Sequence, residues 1–211
     1  MKRIELQPNQ IIVPGEYKLG NESILKLYFR IFDRGHGKDV PPAIVIHRKT
    51  VDMFLNPAEL DREDINYRAD ITRYKNYNRI IENAFRSGAN YFLLDGNHKS
   101  VAATLTHNPI SALELKLDKD TQRGKRMVES GDLFNWTVPG ETLRQTMGKL
   151  RDHLLEYMIR SIGPRIFFGE VVDSYPLTIR ERTEQLISNG DLPEYMVDRY
   201  RQGNKDDGVR K

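Results

Sequence analysis

The sequence predicts an α/β (α+β) fold: a small mixed sheet with packed helices, followed by a C-terminal helical part. Three observations lead there. Short apolar or alternating runs, such as Phe92-Leu93-Leu94 and Leu113-Glu114-Leu115-Lys116-Leu117, have strand length and are bounded by turn residues. Longer stretches carry apolar side chains at helical spacing, among them Leu143, Met147, Leu150, Leu154 and Met158. The two kinds of segment interleave in the first part of the chain, and helices alone fill the rest.

The chain opens with two short strands, residues 2–6 and 10–13, separated by Pro8-Asn9. Glu16 follows in Val13-Pro14-Gly15-Glu16-Tyr17, just past a strand end, where side chains commonly reach a site held by the sheet. Asn21-Glu22-Ser23 starts a helix with Ile24, Leu25, Leu27, Tyr28, Ile31 and Phe32 as its stripe, and Gly35 near its C-terminal end serves as a cap beside a passenger His36. Val40-Pro41-Pro42 leads into the strand Ala43-Ile44-Val45-Ile46-His47.

Residues 48–90 read as mostly helical, with Ile65, Tyr74, Tyr77, Ile80, Ile81, Ala84 and Phe85 tracing a partly regular apolar face up to Ser87-Gly88. Arg68, Arg73, Lys75, Arg79 and Arg86 interleave there with tyrosines, a pattern able to hold single-stranded nucleic acid. Asp61, Glu63, Asp64, Asp70 and Glu82 dilute that positive field, which favours tyrosines packed inward and charges in solvent. After the strand at Phe92, a helix is expected with Asn97 as its cap and Val101, Ala102 and Leu105 as its stripe, ending at Asn108-Pro109.

The strand at Leu113 closes a first domain, 1–118, in which 48–90 is an insertion. Residues 119–126 read as a charged linker to a helical subdomain, 119–204, with 205–211 as a disordered tail. In that subdomain a long amphipathic helix runs to Gly163-Pro164, Thr178 and Glu181 form a capping box, and Pro193 opens the last helix. Acidic residues such as Glu184, Asp191 and Asp198 make this last pair a poor reader of a DNA groove, so packing against the main domain is expected.

Composition bounds the function. Hydrophobic residues at 38% and charged residues at 30% suit a globular chain in water, and no apolar run approaches the roughly 20 residues of a membrane span. Met1-Lys2-Arg3-Ile4-Glu5-Leu6 lacks the pattern of a signal peptide, so a cytoplasmic protein without a membrane partner is expected. The absence of cysteine excludes disulfides, thiolate metal sites and cysteine catalysis. A net charge of +3 falls short of the basic excess of a dedicated nucleic-acid binder, and the five histidines show no zinc-ligand spacing.

The chemistry concentrates in Asp95-Gly96-Asn97-His98-Lys99-Ser100. A strand, a tight turn and a helix start place unpaired N–H groups and the positive end of the helix dipole together, and an anion is stabilised there. Gly96 allows close approach to the backbone, while Asn97, His98, Lys99 and Ser100 offer donors for phosphate. Asp95 would repel a polyphosphate unless a cation lies between them, and Mg²⁺, which takes one or two carboxylates plus phosphate oxygens, resolves the conflict.

Apolar strand, Asp95-Gly96-Asn97-His98-Lys99, two variable positions and Ala102-Ala103 together resemble the signature of the ParB/sulfiredoxin-like superfamily. That group includes partition-protein domains that bind CTP, sulfiredoxins that use ATP, and free-serine kinases, and the form seen here is closest to the kinase branch. The resemblance covers about residues 1–118. It implies a nucleotide, ATP or ADP with CTP as the alternative, and Mg²⁺ at Asp95. It also implies Glu16 as the general base toward a small hydroxyl-bearing acceptor, and His98 and Lys99 are expected to neutralise charge during transfer. Lys99 stands where the family usually has arginine, Gly15 where it usually has histidine, and the insertion replaces a short hairpin. Without cysteine the sulfiredoxin chemistry is closed. The competing expectation is a DNA-associated partition-like or nuclease-like protein switched by a nucleotide, against which stand the missing Gly-Glu-Arg-Arg box and the mild charge.

Overall fold

The computed structural model describes residues 1–15, 19–131, 142–167 and 175–209. In chain order it contains β1 (Lys2–Leu6), β2 (Ile11–Ile12), α1 (Glu22–Asp33), β3 (Ala43–His47), α2 (Tyr67–Arg86), β4 (Tyr91–Asp95) and α3 (Asn97–Leu105). These are followed by β5 (Ile110–Leu115), α4 (Asp118–Glu129), α5 (Leu143–Phe167), α6 (Ile179–Asn189) and α7 (Glu194–Val209). The fold is α+β, with one mixed sheet in the order β1-β5-β3-β4-β2.

Burial explains the order. In β3, Ala43 to Ile46 are all buried, an unbroken apolar run that fits only a central strand covered on both faces. β5 lies parallel to β3 on one side, with Ile44 opposite Leu113, and β4 lies antiparallel on the other. β1 forms an edge against β5, and its exposed Lys2, Arg3 and Glu5 discourage further pairing.

Alternation along the strands divides the apolar residues between two cores. On one face Val45, Leu93 and Ala112 meet Leu25, Phe29 and Phe32 of α1, Val101 and Ala102 of α3, and Ile179 and Met196 of α6 and α7. On the other, Ile44, Ile46, Phe92 and Leu115 meet Tyr77, Ile80 and Ile81 of α2 with Leu150, Leu154 and Met158 of α5. Residues beyond Asp118 therefore complete both cores. The last two helices and the turn between them contribute Leu192, Val197 and Tyr200 to the first of them, the packing expected of this pair.

Several local expectations change. Residues 119–126 form most of α4 instead of a linker. Asp120 accepts from the N–H groups of Lys116 and Leu117 at 3.0 and 3.1 Å, which stabilises the helix start, and also from the Met1 ammonium at 2.9 Å. α5 continues through Gly163 and Pro164 to Phe167; an interior proline loses its N–H rung and crowds the carbonyl four residues back, which can kink a helix without ending it. α7 extends to Val209, into the stretch from residue 205 expected as a disordered tail. The expected capping box of α6 is present, with the Glu181 carboxylate accepting from the Thr178 N–H at 2.8 Å and Gly190 in the left-handed region at φ 75°. On α2, Tyr77 is buried, while Arg73 pairs with Asp70 and Arg86 with Glu82. Among the described residues no helix is long and apolar enough to cross a membrane.

Candidate functional site

Three chain ends converge where β4 stops. β2 runs parallel to β4, with Ile11 opposite Tyr91 and Ile12 opposite Phe92, so the chain leaving β2 heads toward the same sheet end as Asp95. β3 is antiparallel to β4, with Ile44 opposite Asp95, which brings Pro41 and Pro42 to that end as well. The carboxyl ends of strands are the usual ligand position in open α/β sheets.

The segment before Glu16 is fixed from a distance. Val13 donates its N–H to the Leu177 carbonyl at 2.8 Å, and the Gly15 carbonyl accepts from the Arg182 guanidinium at 3.1 Å. Arg182 is buried, donates to the Tyr157 hydroxyl and lies 4.0 Å from the centre of that ring. Glu16 itself lies outside the described residues.

Gly96 is the N-cap of α3 at φ 118° and ψ 30°, a region that side-chain-bearing residues rarely adopt. A Cβ there would stand 3.0 Å from the Ala43 Cβ and 3.3 Å from the Ala43 Cα, so the site needs glycine for space as well. The cap is therefore Gly96 and not Asn97, which becomes the first helical residue. The Ser100 N–H makes the first helical rung to the Gly96 carbonyl at 3.0 Å, and the amides of residues 97–99 precede it.

Lys99 departs most from its expected role. It is only 7% exposed, and its ammonium donates to the Pro41 and Pro42 carbonyls at 2.9 Å each. It clamps the approach to β3 against the start of α3, with two of its three protons committed. Burial pushes its pKa down, and the neighbouring Asp95 carboxylate works against that shift. Asp95 is the counterpart: burial raises its pKa, while Lys99 and the Gly96 N–H stabilise the anion.

His98 is half-buried, and burial holds its pKa below the ordinary imidazole value, which favours the neutral ring. Its Nε2 is buried and has no hydrogen-bond partner among the described residues. Ser100 is fully buried, and its hydroxyl oxygen likewise has none. Two orphaned polar atoms in one helical turn are unusual, since buried polar groups are normally paired. Tyr28 of α1 completes the setting, its hydroxyl held above the usual range by burial and then by the Asp95 charge. Neither Tyr28 nor Arg182 stands out in the sequence, because one belongs to a helical stripe and the other to an ordinary charged helix.

The site thus gathers Asp95, Gly96, Asn97, His98 and Ser100, with Lys99 behind them. Among the described residues no three His, Asp or Glu side chains form a metal-holding group. A single carboxylate beside helix-start amides still fits Mg²⁺ carried in by phosphate oxygens. Comparison of this chain with family models, curated proteins and solved structures finds no match.

Proposed function

We propose that the chain binds the polyphosphate tail of a nucleotide at the start of α3 and transfers a phosphoryl group to a small hydroxyl-bearing acceptor. ATP or ADP is the favoured nucleotide, with CTP as the alternative. The observation that carries this reading is the buried, partnerless Nε2 of His98 next to a glycine-opened helix start. A neutral imidazole bearing its proton on Nε2 donates to an oxyanion, and the orphaned atom then gains the partner it lacks. The motif's resemblance to the kinase branch of the ParB/sulfiredoxin-like superfamily supports the same reading.

Each residue then has a role. The amides after Gly96 and the His98 ring hold phosphate oxygens, and charge developing during transfer falls on donors already in place. Lys99 is a positioning residue, which fixes the loop through Pro41 and Pro42 and offsets the Asp95 charge. Asp95 would hold Mg²⁺, which supplies charge neutralisation to the phosphates. Glu16 takes the acceptor's hydroxyl proton as that oxygen bonds to the terminal phosphorus, the bridging P–O bond breaks, and the shortened nucleotide leaves. A DNA-associated role gains less, because Arg73 and Arg86 of α2 are paired with Asp70 and Glu82 and the last two helices are spent on the core.

The test is a thermal-shift panel of ATP, ADP, CTP and GTP, with and without Mg²⁺, on the unchanged chain and on His98→Ala. A binding nucleotide at about 100 times its dissociation constant stabilises by roughly 2.7 kcal/mol. His98→Ala should remove most of that response. No shift with any nucleotide overturns the proposal.

A further inference from the structure

At the opposite end of the sheet a second polar site opens. Alternation places His47, Tyr91, Glu114 and Lys2 on the face whose other end is covered by α1 and α3. There they line a cleft of about 420 Å³ together with Lys49 and Lys116, a size within the range of small-ligand sites. Four strands contribute to it, and Lys49, Thr50 and Lys116 follow closely on the ends of two of them.

The charges do not balance. Lys2, Lys49 and Lys116 face one carboxylate, Glu114, which is buried and already paired with Lys116 at 3.3 Å. Among the described residues Lys2 and Lys49 make no ion pair, so two positive charges are left over.

The neutral donors point to the same kind of ligand. The His47 Nδ1 accepts from the Lys49 N–H at 3.0 Å, so the neutral ring carries its proton on Nε2 as a donor. Tyr91 packs edge-on to that ring, 4.9 Å between centres, and fixes its plane. Burial lowers the pKa of His47 although Glu114 opposes the shift, which keeps the imidazole a neutral donor near neutral pH.

We propose that this cleft binds the phosphate group of a small phosphomonoester, a dianion whose charge matches the two unpaired lysines, with His47 Nε2–H and the Tyr91 hydroxyl as directional donors. A phosphomonoester carries about −1.5 to −2 charges at neutral pH. The site is separate from the start of α3. The four residue steps of β4 from Tyr91 to Asp95 span about 13 Å at strand rise, so one ligand's phosphates do not serve both.

The experiment is a titration of the full chain with phenyl phosphate and, separately, phenyl sulfate, by calorimetry and by NMR of the Lys49 amide and the His47 ring. Phenyl phosphate should saturate, shift both signals and bind about tenfold more tightly than the monoanionic sulfate. Lys2→Gln and Lys49→Gln are exposed changes that leave the fold intact, and each should weaken phosphate binding by about fivefold to tenfold. Asp95→Asn should leave it unchanged, which separates this site from the nucleotide reading. Equal affinity for the two probes, binding that survives the double lysine variant, or an unmoved His47 ring would each overturn the proposal. So would an octathymidylate that displaces phenyl phosphate at far lower concentration with a steep salt dependence, the mark of a strand-binding groove.

Discussion

Replacing Gly96 by alanine separates two physical costs. The first is conformational: φ 118° puts an L-residue in a left-handed region disfavoured by about 1–2 kcal/mol. The second is steric. The new methyl would lie 3.0 Å from the Ala43 Cβ and 3.3 Å from its backbone Cα, on the fully buried central strand. Overpacking of this kind typically costs about 1–3 kcal/mol, so Gly96→Ala should lose about 2–5 kcal/mol in all. Gly88 is the control, with φ 100° and no atom within 4 Å of its would-be Cβ. Gly88→Ala should show only the conformational part. Urea unfolding at constant slope measures both, and Ala43→Gly in the Gly96→Ala background should recover part of the steric loss. Equal losses at the two glycines would refute the argument that β3 and the start of α3 are in forced contact.

Four further outcomes are expected. Lys99→Met strips a buried ammonium from two carbonyls and from Asp95, and should cost about 2–5 kcal/mol in urea unfolding at neutral pH; a near-neutral change would show that the clamp contributes nothing. Asp95, whose folded pKa is raised, binds more protons folded than unfolded from about pH 4 upward, so its part of the stability falls as pH rises through the folded value. Asp95→Asn should flatten that decline in unfolding measured from pH 4 to 8, and an unchanged slope would remove Asp95 as its source. Asp120 behaves oppositely: burial would raise its pKa, but the Lys116 N–H, the Met1 ammonium and the Leu117 N–H outweigh it and hold the group low. Its stabilisation is present above the ordinary carboxylate pKa and is lost as pH falls through the folded value. Asp120→Asn should therefore cost about 1–3 kcal/mol at pH 7 and progressively less in acid. Glu16→Gln should lower turnover by roughly 10² to 10⁴ with nucleotide affinity nearly intact, and equal loss of both would remove Glu16 as the base.

What the sequence discloses follows the range of the forces involved. β3, β4, α1 and α3 are legible because Ile44, Val45, Leu93, Leu25 and Val101 are apolar at the period their element demands. α4 is hidden because its buried positions are Asp120, Thr121 and Gly124, which give no apolar period. The turn at Asp95-Gly96 is legible as a strand, glycine and helix start. Lys99 is read from the sequence only as a phosphate donor, because its partners, Pro41 and Pro42, lie 58 and 57 residues away and are brought to it only by the pairing of β3 with β4. The tie from Arg182 to Gly15 spans 167 residues, and no local pattern announces it. The cleft around His47 and Glu114 is likewise assembled by register across four strands, while each residue alone looks like a routine polar position at a strand end.

The sheet order also constrains the birth of the molecule. β5 sits between β1 and β3, so β1, made long before its partner, waits without it until residues 110–115 emerge. Until then the nascent chain offers β3 with one edge of unpaired backbone groups flanked by apolar Ala43, Ile44, Val45 and Ile46, a template for pairing with other chains. Insertion of β5 closes a loop of more than 100 residues onto β1, with Lys2 opposite Glu114, and such distant closures are slow. A chain truncated before Ile110 should accumulate in aggregates, and one released just after Leu115 should be the shortest to form the whole sheet.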